Sequence, residues 1–190
     1  MKRSFVVLVL FASLALAAPA WALNWSLGAN LGYSSIDPKG SGDNINAFAW
    51  PNNIVGFTPG LRVGFAGANP QHEFFIDTGL MLQSSGGDSE RFFDAVVNYQ
   101  YNFNSSHLSP YVTGGVGLAS VGFDFGSSVS AISAQFGGGL GVRHKMGNEH
   151  GVLRGEVRYD RVTEGKDSGT IIIPETGIFG VKLGFDLWDK

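Results

Sequence analysis

Twelve charged side chains punctuate otherwise apolar, glycine-rich stretches, and they are the residues whose types and spacing could do chemistry. They are Arg62, Glu73, Asp77, Asp94, Arg143, Lys145, Arg154, Glu156, Arg158, Asp160, Lys182 and Asp186. Six are basic and six acidic, so the set could neutralise itself. Charges gathered away from water must pair, because a lone buried charge costs several kcal/mol. Two uses fit such a set. One is a web of ion pairs that fills and fixes an interior. The other is a narrow, charge-lined path for ions.

Other candidates carry less. His107-Leu108-Ser109 offers a histidine and a serine, but a nucleophile also needs an orienting acid within hydrogen-bond reach, and no such trio is readable. His72, His144 and His150 show no H-E-x-x-H spacing. Asp37 and Asp43, beside Gly40 and Gly42, do not form a calcium-loop pattern. The run Gly137–Gly139 lacks the G-x-G-x-x-G context and a following helix, so it reads as backbone spacing and not as a phosphate cradle. No catalytic residue, metal or cofactor is expected.

The composition narrows the class. The chain has 190 residues with 28 Gly, 15 Phe and no Cys; it is 44% hydrophobic and 15% charged. The absence of Cys excludes disulfides, thiolate metal sites and a lipidated cysteine. So little charge with so much Gly and Phe suits neither a soluble helical domain nor a disordered tail. A net charge of −3 without a basic block argues against a nucleic-acid partner.

The first segment reads as a secretory signal. Lys2 and Arg3 precede an apolar run, Phe5 to Ala17, and Ala20-Trp21-Ala22 offers an A-x-A cleavage site. The run is short for a membrane-spanning helix. Residues 1–22 are therefore expected to be removed, which leaves 23–190 as one domain with 11 basic and 16 acidic residues.

That domain reads with period two. From Leu23 to Tyr33, the apolar Leu23, Trp25, Leu27, Ala29, Leu31 and Tyr33 alternate with Asn24, Ser26, Gly28, Asn30 and Gly32. The same alternation predicts further strands over Ile54–Ala66, His72–Gln83, Phe92–Asn104, Pro110–Phe125, Ala131–Lys145, Val152–Thr163 and Thr176–Leu187. Each of the eight exceeds the nine or so residues that a tilted membrane strand needs. The chargeless stretch Ala95–Phe123 holds Asn98, Gln100, Asn102, Asn104 and Pro110, so it reads as two strands and a turn, not as a helix. Connections are expected to alternate. Short turns lie at Gly67–Gln71, Ser105–Ser109 and Met146–Gly151. Longer loops lie at Ser34–Asn53, Ser84–Arg91 and Glu164–Glu175; the length of Gly126–Ser130 is left open.

The non-apolar face is rich in Gly, Ser, Thr, Asn and Gln, whereas a water-facing surface carries far more charge. The apolar face is therefore expected to meet lipid and the small, polar face to fill a narrow lumen. Trp25, Tyr33, Phe57, Phe65, Phe74, Phe93 and Phe103 stand near strand ends, where interfacial aromatic girdles form. The expectation is an all-β, eight-stranded, antiparallel, up-and-down transmembrane barrel, preceded by a cleaved signal peptide.

The run Leu108-Ser109-Pro110-Tyr111-Val112-Thr113-Gly114-Gly115-Val116-Gly117-Leu118 resembles the PY-x-x-x-G-x-G strand of small outer-membrane barrels. With the signal peptide and the eight strands, the chain resembles the OmpA/OmpX-like, opacity-protein-like β-barrel family. Gly177–Trp188 is similar to the C-terminal assembly signal of these proteins, although Asp189 and Lys190 follow the late aromatic. The resemblance implies export to the Gram-negative outer membrane. It implies contact with outer-membrane lipid and lipopolysaccharide, and handling by the barrel-assembly machinery. No peptidoglycan-binding domain is expected after the barrel.

Function is expected to be structural and interfacial. The twelve charges would close the lumen, and the outer loops, with Phe48 and Trp50 in the first, would meet a surface partner that the sequence does not name. The alternative is a narrow channel for ions or small apolar solutes. A lipid-modifying enzyme is the third reading.

Overall fold

Side chains that alternate between apolar and polar or small cannot bury one face of a strand without exposing the other, and this drives the architecture. The computed structural model describes residues 24–40, 44–49, 60–67, 69, 71–85, 88–124, 126–147 and 150–189, with 45–49, 80–85 and 88 described by backbone alone. The expected signal segment, Leu23, Trp50 and the strand positions before Gly60, Phe57 among them, lie outside the described residues; Phe48 falls within the backbone-only stretch.

Among the described residues there are eleven strands: β1 Asn24–Pro38, β2 Ile45–Ala49, β3 Gly60–Ala66, β4 His72–Ser85, β5 Asp88–Asn102, β6 Leu108–Asp124, β7 Ser128–Lys145, β8 Gly151–Val162, β9 Gly165–Asp167, β10 Thr170–Ile173 and β11 Thr176–Trp188. Neighbours pair antiparallel in the order β11-β8-β7-β6-β5-β4-β3-β1-β2, and β11 also pairs with β1, so the sheet closes. Eight strands, β1, β3 to β8 and β11, form the barrel. The closing seam is long, running from Ser26↔Trp188 to Pro38↔Thr176.

The faces fall as the alternation predicts. Trp25, Tyr33, Phe65, Phe74, Phe93 and Phe103 all point outward, at 36–56% exposure. In β3 the pattern alternates strictly: Arg62, Gly64 and Ala66 point inward, and Leu61, Val63 and Phe65 outward. Ala95–Phe123 is indeed strand, turn and strand.

Three expected loops are instead largely strand. β1 continues through Ser35 to Pro38, with Ile36 buried, and β2 pairs beside it from Gly32↔Ala49 to Ile36↔Ile45. β4 and β5 stay paired as far as Ser85↔Asp88, which leaves two residues between them where a longer loop was expected. The connection after β8 contains the β9–β10 hairpin, turned at Ser168 and Gly169, both with positive φ (48° and 89°). That is the backbone of the tight hairpin turns whose twist matches the flanking strands. The physical reason is common to all three. Strand pairing continues past the membrane, where polar residues such as Ser84, Ser85, Asp88 and Ser89 are compatible with a ladder in water. β6 and β7 reach 17 and 18 residues, well beyond the span of the bilayer.

These extensions enclose an apolar cluster at the lumen mouth on the rim away from the termini. Phe92, Ala119, Val121, Ala131, Val162 and Ile173 are buried there, with Phe123, Ile172 and Ile178 packed against them. Below the cluster the lumen is mostly polar, with Phe75 and Val96 buried among the polar groups.

Candidate functional site

The strand pleat delivers polar groups from every barrel strand to one narrow interior. Eleven of the twelve predicted charges are buried: Arg62, Glu73, Asp77, Asp94, Arg143, Arg154, Glu156, Arg158, Asp160, Lys182 and Asp186. Lys145 lies on the same face of β7 as Arg143. It ends that strand and is half-buried at the terminal rim.

Ion pairs link neighbouring strands in two places and form within β8 in a third. Arg62 on β3 grips Asp77 on β4 with two hydrogen bonds, Nε to Oδ1 at 2.8 Å and Nη2 to Oδ2 at 3.3 Å. The Arg62 guanidinium also lies 3.3 Å over the Phe75 ring. Arg154 on β8 grips Asp186 on β11 in the same forked way, at 2.5 and 2.8 Å. Arg158 donates to Asp160 at 2.6 Å and lies 3.7 Å from Glu156.

Neutral amides then carry the web across the lumen. Asn30 on β1 donates to Asp77 at 3.2 Å and accepts from Arg154 at 3.1 Å. Asn98 on β5 donates to Asp77 at 3.5 Å and accepts from Arg158 at 2.9 Å. An amide suits this role because it offers a donor to a carboxylate and an acceptor to a guanidinium at once. Tyr111 on β6 donates to Glu156 at 3.0 Å. A second group joins Arg143 on β7 to Glu73 on β4, with Gln100 on β5 donating to Glu73 at 3.2 Å and to Asn102 at 2.8 Å. Every barrel strand thus supplies at least one member.

Glycines make the room. A Cβ at Gly184 would stand 2.5 Å from Asn30 Oδ1 and 2.7 Å from Arg154 Nη2, in the bridge itself. At Gly141 it would meet the Tyr111 hydroxyl at 2.5 Å. Gly115 beside Asn98, Gly137 beside Asp160 and Gly184 beside Arg154 are positions where polar side chains of other strands lie against the wall.

The charges were legible from alternation, but Asn30, Asn98, Gln100 and Tyr111 were not singled out. Their signal was present. Asn30 sits between Ala29 and Leu31, and Asn98 between Val97 and Tyr99, on the same face as the charges. Selecting by charge alone passed over the neutral groups that join the pairs.

The remaining candidates are dispersed. His72 lies on the outside against Tyr99, 2.7 Å from its hydroxyl; His107, His144 and His150 are exposed near turns of the terminal rim. Ser109, buried in the β5–β6 turn region, bonds to Asn104 and Pro110 carbonyls. Among the described residues no group of three His, Cys, Asp or Glu is placed to hold a metal.

Comparisons with known proteins agree with this geometry. The family model described as "Outer membrane protein beta-barrel domain" matches residues 4–186. Neisserial surface protein A matches with a TM-score of 0.59 at 14% identity, over 86% of this chain and 96% of that one. Outer membrane protein H of P. aeruginosa matches with a TM-score of 0.56 at 15% identity, over 87% and 99%. A major outer membrane protein from Thermus thermophilus matches with a TM-score of 0.54 at 13% identity, over 88% and 100%. At these identities the likeness concerns the fold. No curated protein sequence matches.

Proposed function

We propose that this chain, which belongs to the outer membrane protein β-barrel domain family and lies in the Gram-negative outer membrane, is a closed barrel that serves as a structural and surface-interaction element. The observation that carries this reading is the cross-lumen bridge Asp186–Arg154–Asn30–Asp77–Asn98–Arg158, which runs from wall to wall without a break. A pore of this width conducts only if such side chains stand aside, and each one except the terminal Asp186, which Arg154 grips twice, is held by two or more partners. The apolar cluster at the mouth adds a second barrier that dissolved ions would have to dehydrate to pass.

The outward apolar belt takes outer-membrane lipid and lipopolysaccharide, and the barrel-assembly machinery inserts the chain. The surface left for a partner is the far rim. There the β8–β11 connection is tied down by Glu175, which pairs with Lys39 at 3.0 Å and with Arg161. Residues 35–38 belong to the seam, so an exchange of the first outer loop that spares the barrel begins after Pro38.

Proteoliposome swelling tests the reading. Vesicles carrying residues 23–190 should swell in small sugars, amino acids and salts no faster than empty vesicles. Swelling graded by solute size would replace the closed barrel with a channel.

A further inference from the structure

Between the Arg158 bridge and the apolar mouth lies a cavity of about 20 Å³, lined by Ser34, Gln135, Arg158, Asp160, Ile178, Gly180 and Lys182. Its polar walls come from four strands: β1, β7, β8 and β11. Three of the lining side chains are almost fully buried, with Arg158 2%, Gln135 3% and Asp160 5% exposed. Each carries an atom that bonds to no other protein atom: Arg158 Nη2, Gln135 Oε1 and Asp160 Oδ1. The first is a donor and the other two are acceptors.

We propose that this cavity is a built water site, in which a bound water donates to Gln135 Oε1 and Asp160 Oδ1 and accepts from Arg158 Nη2. The mixture of groups selects the ligand. A cation would face Arg158 and Lys182, and an anion would face Asp160. A neutral molecule that both donates and accepts satisfies all three atoms. The volume holds about one water and nothing larger, since a water needs roughly 10–15 Å³ of such space. Gly180 makes the site possible. It sits on the lumen face, paired with Arg158 on β8 and with Ser34 on β1, and has no side chain to fill the gap. The water extends the polar web one step toward the mouth.

Substitution of Gly180 tests this by its sign. A Cβ there would approach Ser34 Oγ at 3.2 Å and the Tyr33 carbonyl at 3.5 Å, so alanine fits after a small shift of the Ser34 hydroxyl. Glycine-to-alanine exchange in a strand ordinarily stabilises, by filling space and restricting the unfolded chain. If a water occupies the site, Gly180→Ala displaces it, strands three buried polar atoms and lowers the thermal midpoint by about 2–4 °C or more. Gly180→Ser, with a hydroxyl in place of the water, recovers part of that loss. A raised midpoint for Gly180→Ala would overturn the site. A crystal structure of the unaltered barrel supplies a readout independent of either variant. Density for a water bonded to at least two of Arg158, Gln135 and Asp160 is expected. A dry cavity, or direct pairing among the three, would overturn the proposal. Conductance of the unaltered barrel judges the closed-lumen reading separately.

Discussion

Asn30 and Arg154 lie 124 residues apart in the chain and meet inside the lumen over the intervening strand β11, the guanidinium donating to the amide oxygen at 3.1 Å. Through Asn30, the Arg154–Asp186 pair near the seam is joined to the Arg62–Asp77 pair on β3 and β4. A neutral residue thus turns two separate ion pairs into one structure.

Replacing Asn30 by alanine should therefore cost more than a surface amide does. Asp77 loses a donor and Arg154 an acceptor, and bonds to charged groups contribute about 1.5–3 kcal/mol each. Both partners keep other contacts, so a loss of about 2 kcal/mol is expected in urea unfolding of the refolded barrel. A loss under about 0.5 kcal/mol would show that the bridge contributes no stability.

The Arg154–Asp186 pair should behave asymmetrically. Arg154→Met leaves a buried carboxylate without its guanidinium and is expected to cost about 3–5 kcal/mol. The double variant Arg154→Met, Asp186→Leu removes both charges and should recover most of that loss. Equal losses in single and double variants would contradict the pairing. Lys39→Ala, which breaks a pair whose lysine is 75% exposed, serves as the control and should cost less than about 1 kcal/mol.

Ile173 anchors the β8–β11 connection in the apolar cluster. Ile173→Asp should release that connection without opening the barrel. Trypsin would then cut faster at Lys166, while the heat-dependent shift in gel mobility stays intact. Unchanged cleavage would mean that the Glu175 pairs and the contacts of β9 with β7, such as the Ser130 amide donating to Asp167 at 3.2 Å, hold the hairpin without Ile173.

Asp189 extends the seam beyond the last strand. Its amide donates to the Trp25 carbonyl at 2.9 Å, and its carboxylate accepts from the Trp25 indole at 2.6 Å. Asp189→Ala should fold and insert normally in lipid vesicles, lose under about 1 kcal/mol and speed amide exchange at the Trp25 end of the seam. Failure to fold would assign the residue a larger role.

Alternation made much of this legible. It placed the eight barrel strands, sorted Leu61, Val63 and Phe65 from Arg62 and Gly64, and collected the charges on one face. It could not supply strand ends at the far rim, because polar residues such as Ser84 to Ser89 suit a loop and a water-exposed ladder equally. Nor could it say which charges meet. Asn30 reaches Arg154 because β1 closes onto β11, and β11 in turn pairs with β8. That register belongs to the closed sheet and not to any one strand. Tyr111 and Phe75 were hidden for another reason: both are aromatic on a face read as polar, yet Tyr111 turns its hydroxyl to Glu156 and Phe75 lies under Arg62.

The central claim, a lumen closed by side chains held across it, is tested most directly by single-channel recording. Residues 23–190 would be refolded into a planar bilayer, with insertion verified by heat-dependent gel mobility. The closed barrel predicts a silent bilayer across the voltage range. Discrete, reproducible conductance steps would contradict it, because ions could then pass only if the Asn30 and Asn98 bridges were open.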